Sequence, residues 1–366
     1  MQTASERDLL TRVHIDGAML GGTLLICALG LVVLYSASGQ SIEVVMRQGL
    51  RMLLGLGAMC AIAQISPLRL ARWAPIFYVI GTLLLGAVFL FGEGRGAHRW
   101  LELGFMRFQP SEIMKLAVPL TVAWFLNEKL LPPRLSTTAI VVAMILVPVA
   151  FVIEQPDLGT AVLIMMAGLL ALFFAGVSWR WIAAAAGIAI VLAPIGWYAM
   201  HDYQRQRIIT LLDPAKDPLG TGYHIIQSTI AVGSGGWSGK GWLNGTQSHL
   251  EFLPERATDF IFAVYCEEFG LLGVLVMLLA YSLVLARGVK IALDAQEAFS
   301  RMVAASLSVT LFIYIFVNMG MVTGQLPVVG VPLPLVSYGG TSVVTLMTGF
   351  GILMSIQTHR RFIVES

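Results

Sequence analysis

An all-α polytopic membrane protein of about ten transmembrane helices, with a large extracytoplasmic loop between helices 7 and 8, is the fold class that three observations predict. Hydrophobic residues are 57% of the 366 and charged ones only 12%, with a mean hydropathy of +0.81, more apolar than a soluble globule needs. The apolar residues fall in blocks of roughly 17 to 25, the length that crosses a bilayer. Lys and Arg gather in alternate short loops, which gives the spans a direction.

In order, the blocks are 17–36, 47–65, 72–92, 111–126, 137–153, 158–176, 181–200, 260–286, 302–323 and 337–356. Turn residues or charges separate them, such as Ser66-Pro67, Pro132-Pro133 and Gln155-Pro156-Asp157. The first block follows Arg7 and Arg12 and precedes Ser36-Ala37-Ser38, which imitates a signal peptide. It is long enough to span and many spans follow, so it reads as an uncleaved first helix.

An even number of spans puts both termini on one side. With that side cytoplasmic, Arg7, Arg12, Arg69, Arg72, Lys129, Arg134, Arg180, Arg287, Lys290, Arg301, Arg360 and Arg361 are inside, twelve against Arg47, Arg95, Arg99 and Arg107 in the short outer loops. Both termini are therefore expected in the cytoplasm. The loop 201–259 then lies outside, as does 93–110. Spans use up most of the chain, so residues 1–366 form one membrane domain, and any chemistry belongs to loops or to the space between helices.

The formal charge of +2 is spread thinly, with no basic run, which excludes a nucleic-acid partner. Cys27, Cys60 and Cys266 sit in apolar segments without CxxC spacing and read as small core residues.

Charges at membrane depth cost roughly 2.5 to 3.5 kcal/mol on insertion scales, so each needs a reason. Glu112 and Lys115, three apart on one helix face, can pair. Either Glu112 is a first-turn acid and Lys115 snorkels, or the two line a polar cavity. Asp157 is a helix N-cap or a member of the same cavity. Gln109-Pro110-Ser111-Glu112 and Gln155-Pro156-Asp157 resemble one another, each placing an acid at the outer start of a helix, a hint of internal symmetry.

In the long loop, Tyr203-Gln204-Arg205-Gln206-Arg207 and Ser234-Gly235-Gly236-Trp237-Ser238-Gly239-Lys240-Gly241 carry cations and flexible backbone suited to a pyrophosphate, or else headgroup contacts and ordinary turns. A P-loop is excluded, because Ser234 stands where its first glycine should be and Gly241 replaces its Ser or Thr. The last outer loop, Gly324 to Pro334, is apolar but holds three prolines and two glycines, so a re-entrant segment is expected there, continuing into Ser337-Tyr338-Gly339-Gly340.

Asp259 is the sharpest candidate. It follows Leu253-Pro254-Glu255-Arg256 and Thr258 at the expected start of the eighth span. A helix dipole would lower its pKa, whereas Phe252, Phe260 and Phe262 would desolvate it and raise the pKa. Only the second suits a general base.

These motifs resemble the shape, elongation, division and sporulation (SEDS) family of peptidoglycan glycosyltransferases, over nearly the whole chain and in order. They are Gly96-Ala97-His98-Arg99-Trp100, Gln109-Pro110-Ser111-Glu112 with Lys115, Gln155-Pro156-Asp157-Leu158-Gly159-Thr160, Gly239-Lys240-Gly241 with Gly245-Thr246-Gln247, Asn244 to Gly270, and Pro332-Leu333-Pro334-Leu335-Val336-Ser337-Tyr338-Gly339-Gly340. The short N-terminus and the Gly-Thr-Gln segment look like the family's elongation members rather than its division members.

The resemblance implies a multi-pass protein of the bacterial cytoplasmic (inner) membrane. It implies polymerisation of lipid II into β-1,4 glycan strands, in complex with a class B penicillin-binding protein (PBP2-type), a transpeptidase, and with other proteins of the elongation complex. The family's essential acid matches Asp259. Ala257 stands where the family usually has His. One inverting displacement that releases undecaprenyl pyrophosphate needs one carboxylate base, where an inverting glycosidase needs two. Arg207 and Lys240 are the candidates to stabilise the leaving pyrophosphate, with or without a divalent cation. Arg99, Glu112, Lys115, Asp157, Glu255 and Ser337 complete the expected cavity. A lipid II flippase using the Glu112 and Lys115 cavity, or a non-catalytic scaffold, are the alternatives.

Overall fold

A computed structural model describes residues 13–91, 99–102, 107–217, 220–246 and 255–359. The long helices, in order, are α1 (Gly17–Ala37), α2 (Ile42–Ala63), α3 (Pro67–Phe91), α4 (Pro110–Asn127), α5 (Leu135–Glu154), α6 (Leu158–Phe174) and α7 (Trp179–Ala199). Two shorter ones, α8 (Asp202–Leu212) and α9 (Thr221–Ser234), lie in the large loop, and α10 (Ile261–Leu293), α11 (Ala298–Val322) and α12 (Thr341–Thr358) complete the set. Between α3 and α4 a minimal antiparallel pair, β1 (Leu101–Glu102) and β2 (Arg107–Phe108), closes a hairpin.

The ten expected spans are thus all helical. Among the described residues, eight helices are long and apolar enough to cross a membrane. The other two are the short apolar α6 and α4, which carries Glu112 and Lys115. Caps explain several starts. Asp16 accepts from Met19 N (2.8 Å), and Ser41 accepts from Val44 N (3.4 Å), so α2 begins at Ile42 rather than at the expected 47. The hydrophobic pattern missed that first turn because Glu43 and Arg47 occupy it, paired on the exposed surface.

Helices α4 and α11 sit at the centre. α4 packs on α3, α6 and α11, while α12 packs on α2 and α10 on α1. Most of α11 is buried, whereas α7 buries none of its length against the bundle. The segment expected to be re-entrant is irregular and packed inside the protein: residues 323–340 are non-helical, and Val331, Leu333, Leu335 and Val336 are buried. Gly30 of α1 lies against it, where a Cβ would come within 2.8 Å of the Leu335 carbonyl oxygen.

α10 contains a break at Gly270 (φ 61°, ψ −162°), a conformation open essentially to glycine alone. The glycine-rich stretch fills it: Lys240 N donates to Glu267 O (3.0 Å), Gly241 N to Glu268 O (3.0 Å), Leu271 N to Gly236 O (2.9 Å) and Leu272 N to Trp237 O (3.1 Å).

Candidate active site

A polar cavity of about 280 Å³ opens where the first turns of α4 and α6 meet the turn before α10 and the segment 323–340. Four of its walls carry the charges singled out in the sequence: Glu112 and Lys115 from α4, Asp157 at the start of α6, Arg99 before the hairpin, and Glu255 and Asp259 from the turn.

The α4 pair is direct. Lys115 Nζ donates to Glu112 Oε1 at 2.7 Å, with both side chains almost fully buried, and the ammonium also lies over the Tyr314 ring, 5.2 Å from its centroid. Proline at the first position of α4 and the acid after it suit the positive end of the helix. The two readings of Glu112 and Lys115 therefore resolve to an ion pair that lines a cavity. For Asp157 both readings hold at once. Its Oδ1 accepts from Thr160 N (3.2 Å), capping α6, and its Oδ2 accepts from Gln109 Nε2 (3.0 Å). The two similar motifs are thus in contact.

Arg99 donates through Nε to Gln155 O (3.0 Å) and through its guanidinium to Pro156 O, which fixes the cavity's outer rim to the α5–α6 turn. The first residues of its motif, Gly96 to His98, lie outside the described residues, as do Gln247 and the segment Ser248 to Pro254.

Asp259 is not the first helical residue, since α10 starts at Ile261; the Asp lies in the turn 255–260, just outside the span. Burial pushes its carboxyl up to about 6, Glu255 and Asp157 push the same way, and Arg207 opposes them. Desolvation, not the helix dipole, therefore decides. Arg207, on α8, has its own pKa lowered by burial, and it feels Tyr203, Arg99, Asp157 and Asp259. It also lines a second, apolar space of about 400 Å³ with Ile153, Leu158, Met200 and Val329, so it stands between the polar cavity and an apolar groove.

Three expected residues do not line the polar cavity: Arg207, on the apolar space beside it, Lys240 and Ser337. Lys240 is outside the cavity: its Nζ pairs with the buried Glu267 (2.7 Å) and donates to Thr246 Oγ1 (2.8 Å). The glycine-rich stretch around it is packed into the break of α10, away from the residues that line the cavity. Ser337 is buried in the wall, where Oγ donates to Thr258 O (2.6 Å) and accepts from Leu333 N (2.8 Å), while its neighbours Tyr338 to Ser342 face the cavity. Arg205 donates to Trp197 O and Tyr198 O, closing the end of α7.

Sequence reasoning passed over Gln109 as a residue with its own role, although it lay inside a quoted motif. It also passed over Trp100 and Tyr338 as cavity walls, and Gln48 and Asn318 altogether. A buried amide inside an apolar span was the signal available for the last two. Among the described residues no group of three or more His, Cys, Asp or Glu converges as metal ligands.

Comparison with known proteins places this architecture. The chain is 54% identical over 357 residues to the peptidoglycan glycosyltransferase MrdB of Escherichia coli, covering 97% of this chain and 96% of that one. It is 35% identical over 353 residues to stage V sporulation protein E of Bacillus subtilis, covering 93% and 96%. Among solved structures it superposes on the rod shape determining protein RodA of Thermus thermophilus with a TM-score of 0.71, 28% identity and coverage of 94% and 98%. A chain of a peptidoglycan synthase complex matches with a TM-score of 0.82, 32% identity and coverage of 94% and 99%. Residues 17–362 match the cell cycle protein family of FtsW, RodA and SpoVE, and with these relatives over nearly its whole length the chain belongs to that family.

Proposed function

We propose that this chain is a peptidoglycan glycosyltransferase that polymerises lipid II into β-1,4 glycan strands on the outer face of the bacterial inner membrane, working as one membrane domain with both termini in the cytoplasm. The observation that carries the mechanism is the Asp259 carboxyl, half-buried in the wall of a polar cavity and pushed up to about 6. A carboxylate tuned toward the working pH is an effective general base.

In the reaction, the 4-hydroxyl of an acceptor sugar attacks the anomeric carbon of a donor held through an α-pyrophosphate. The new C–O bond forms as the bond to the pyrophosphate oxygen breaks, with inversion. Asp259 takes the hydroxyl proton, and the electron pair leaves with undecaprenyl pyrophosphate. Arg207 faces the same region from α8 and Arg99 from the rim, and cations there stabilise the departing charge. The ion pair of Glu112 and Lys115 forms the floor. Its neutrality keeps the floor from competing for the phosphates while leaving donors and acceptors for the sugar. Membership of the family, and the likeness to a chain of a synthase complex, support a class B penicillin-binding transpeptidase as partner.

The flippase reading needs a passage through the bundle. Below Lys115 the interior narrows to a space of about 40 Å³ among Leu116, Leu307, Leu311 and Tyr314, too small for a disaccharide. Asp259→Asn tests the proposal, since Asn keeps the size and cannot accept the proton. The purified variant should fold and bind its transpeptidase partner yet make no glycan from lipid II in detergent, where no second compartment exists for transport. Polymerisation near the parent rate would refute Asp259 as the base.

A further inference from the structure

Three consecutive main-chain carbonyls lead into the candidate base, and each is held by a group from a distant part of the chain. Tyr338 N donates to Ala257 O at 2.8 Å. Ser337 Oγ donates to Thr258 O at 2.6 Å. Asn318 Nδ2 donates to Asp259 O at 3.0 Å and also to Val331 O at 2.8 Å. The 337–339 turn that supplies two of these donors is itself gripped from α2. Gln48 Nε2 donates to Ser337 O (3.2 Å), and Gln48 Oε1 accepts from Gly339 N (3.3 Å). Arg51, one turn further along α2, lies over the Tyr338 ring at 4.5 Å.

Gln48 and Asn318 are both fully buried in spans, where a polar amide costs free energy unless it is bonded. Gln48 offsets that cost at both ends of its amide. Asn318 does not, because its Oδ1 is buried without a hydrogen-bond partner among the described residues. Among the described residues, what Asn318 satisfies is therefore its two donor contacts. Those contacts tie the carbonyl of Asp259 to that of Val331. Next to Val331 is Gly330, at φ +74°, where an added Cβ would lie 3.5 Å from Asp259 Oδ2. The carboxyl therefore sits against a stretch of backbone whose separation Asn318 sets.

We propose that Asn318, and Gln48 acting through the Ser337 turn, are positioning residues that hold Asp259 against the re-entrant segment at the distance and angle its proton transfer requires. This rests on the reading of Asp259 as the base. Fixing carbonyls 257 to 259 fixes the direction of the Asp259 side chain in a segment with no helix to do so. A displacement of about 1 Å in a reacting group costs on the order of 100-fold in rate. Loosening the segment also admits water to a carboxyl otherwise faced by Glu255, Asp157 and Arg207, which lets its pKa fall toward the ordinary carboxylate value.

The experiment uses the full-length chain, purified in detergent with its transpeptidase partner, and lipid II as substrate. It compares Asn318→Leu, Gln48→Leu, Ser337→Ala, Ser337→Thr and Asp259→Asn. Thermal unfolding and partner binding report folding, and rates are taken as kcat and KM across pH 4 to 8. Positioning predicts that folded Asn318→Leu loses roughly 30- to 100-fold in kcat with KM little changed, and that its acid limb moves to lower pH. Gln48→Leu should show the same at smaller size. If Asn318→Leu does not fold, the Ser337 pair decides: Ala should lower kcat and shift the acid limb, and Thr, which keeps the hydroxyl, should restore both. Parent-like kcat and an unmoved acid limb in the folded variants, with Asp259→Asn inactive, would overturn the positioning role alone. An active Asp259→Asn would instead bring down the base assignment and this inference with it.

Discussion

Two ion pairs of the same chemistry serve opposite ends in this molecule. Glu112 and Lys115, on one face of α4, have side chains 6% and 7% exposed and line the cavity. Glu267 and Lys240 meet at the same 2.7 Å, but Glu267 is fully buried and Lys240 is 30% exposed, and the pair fastens a loop into the break of α10. The first pair has space beside it for a ligand. The second has backbone, since Glu267 Oε1 also accepts from Thr246 N (2.9 Å) and Thr246 Oγ1 (3.0 Å). A lysine beside an acid is therefore no guide to function until the room around it is known.

The largest effect separates the pairs by activity. Glu112→Gln or Lys115→Met should each cost about 3 to 5 kcal/mol, because either change strands a buried charge. Both should abolish detectable polymerisation. The double variant should regain most of the stability but not the activity, measured by thermal unfolding and by glycan synthesis from lipid II. A double variant with restored activity would show that the α4 pair is merely structural.

At the loop pair the singles should be unequal. Lys240→Met takes its ammonium from the buried Glu267 and should be the costlier change. Glu267→Gln leaves a lysine that can turn to water, and should cost about 1 kcal/mol. Here activity should follow the folded fraction, and the double variant should recover both. Equal losses in the two singles would mean that Lys240 is as enclosed as Lys115.

The pH profile sharpens the contrast further. With the Asp259 carboxyl raised to about 6 by burial, the active form is the deprotonated one. The rate should rise with pH up to about 6, level off above it, and fall tenfold per unit below it. Replacements at Lys240 or Glu267 should leave that midpoint in place, whereas replacements at Arg207, which opposes the shift, should raise it. A midpoint near 4 in the parent enzyme would contradict a desolvated base.

The smallest expected effect is on sidedness. In a chain with Cys27, Cys60 and Cys266 replaced, activity should be unchanged. A cysteine at the exposed Ala215 in the large loop should react with an impermeant reagent in intact cells, and one at the exposed Gln296 between α10 and α11 should not. The opposite pattern would put both ion pairs in the inner half and invert the topology.

What the sequence by itself determined is set by the solvent. A bilayer demands long apolar helices whose backbone groups are satisfied internally, so hydropathy foretold ten helices, the long loop after the seventh and the irregular segment after α11. The charges in or beside the apolar spans, Glu112, Lys115, Asp157 and Asp259, were visible for the same reason, and the structure brings all four to one cavity. Tertiary structure alone decided which direction the Asp259 pKa takes, because desolvation depends on neighbours remote in sequence. It also removed Lys240 from the site, since no local pattern tells that Glu267, 27 residues on, faces it across a helix break. Gln48 and Asn318 belong to the same class: what an amide holds in place is set by the backbone that packs against it, and that backbone comes from elsewhere in the chain.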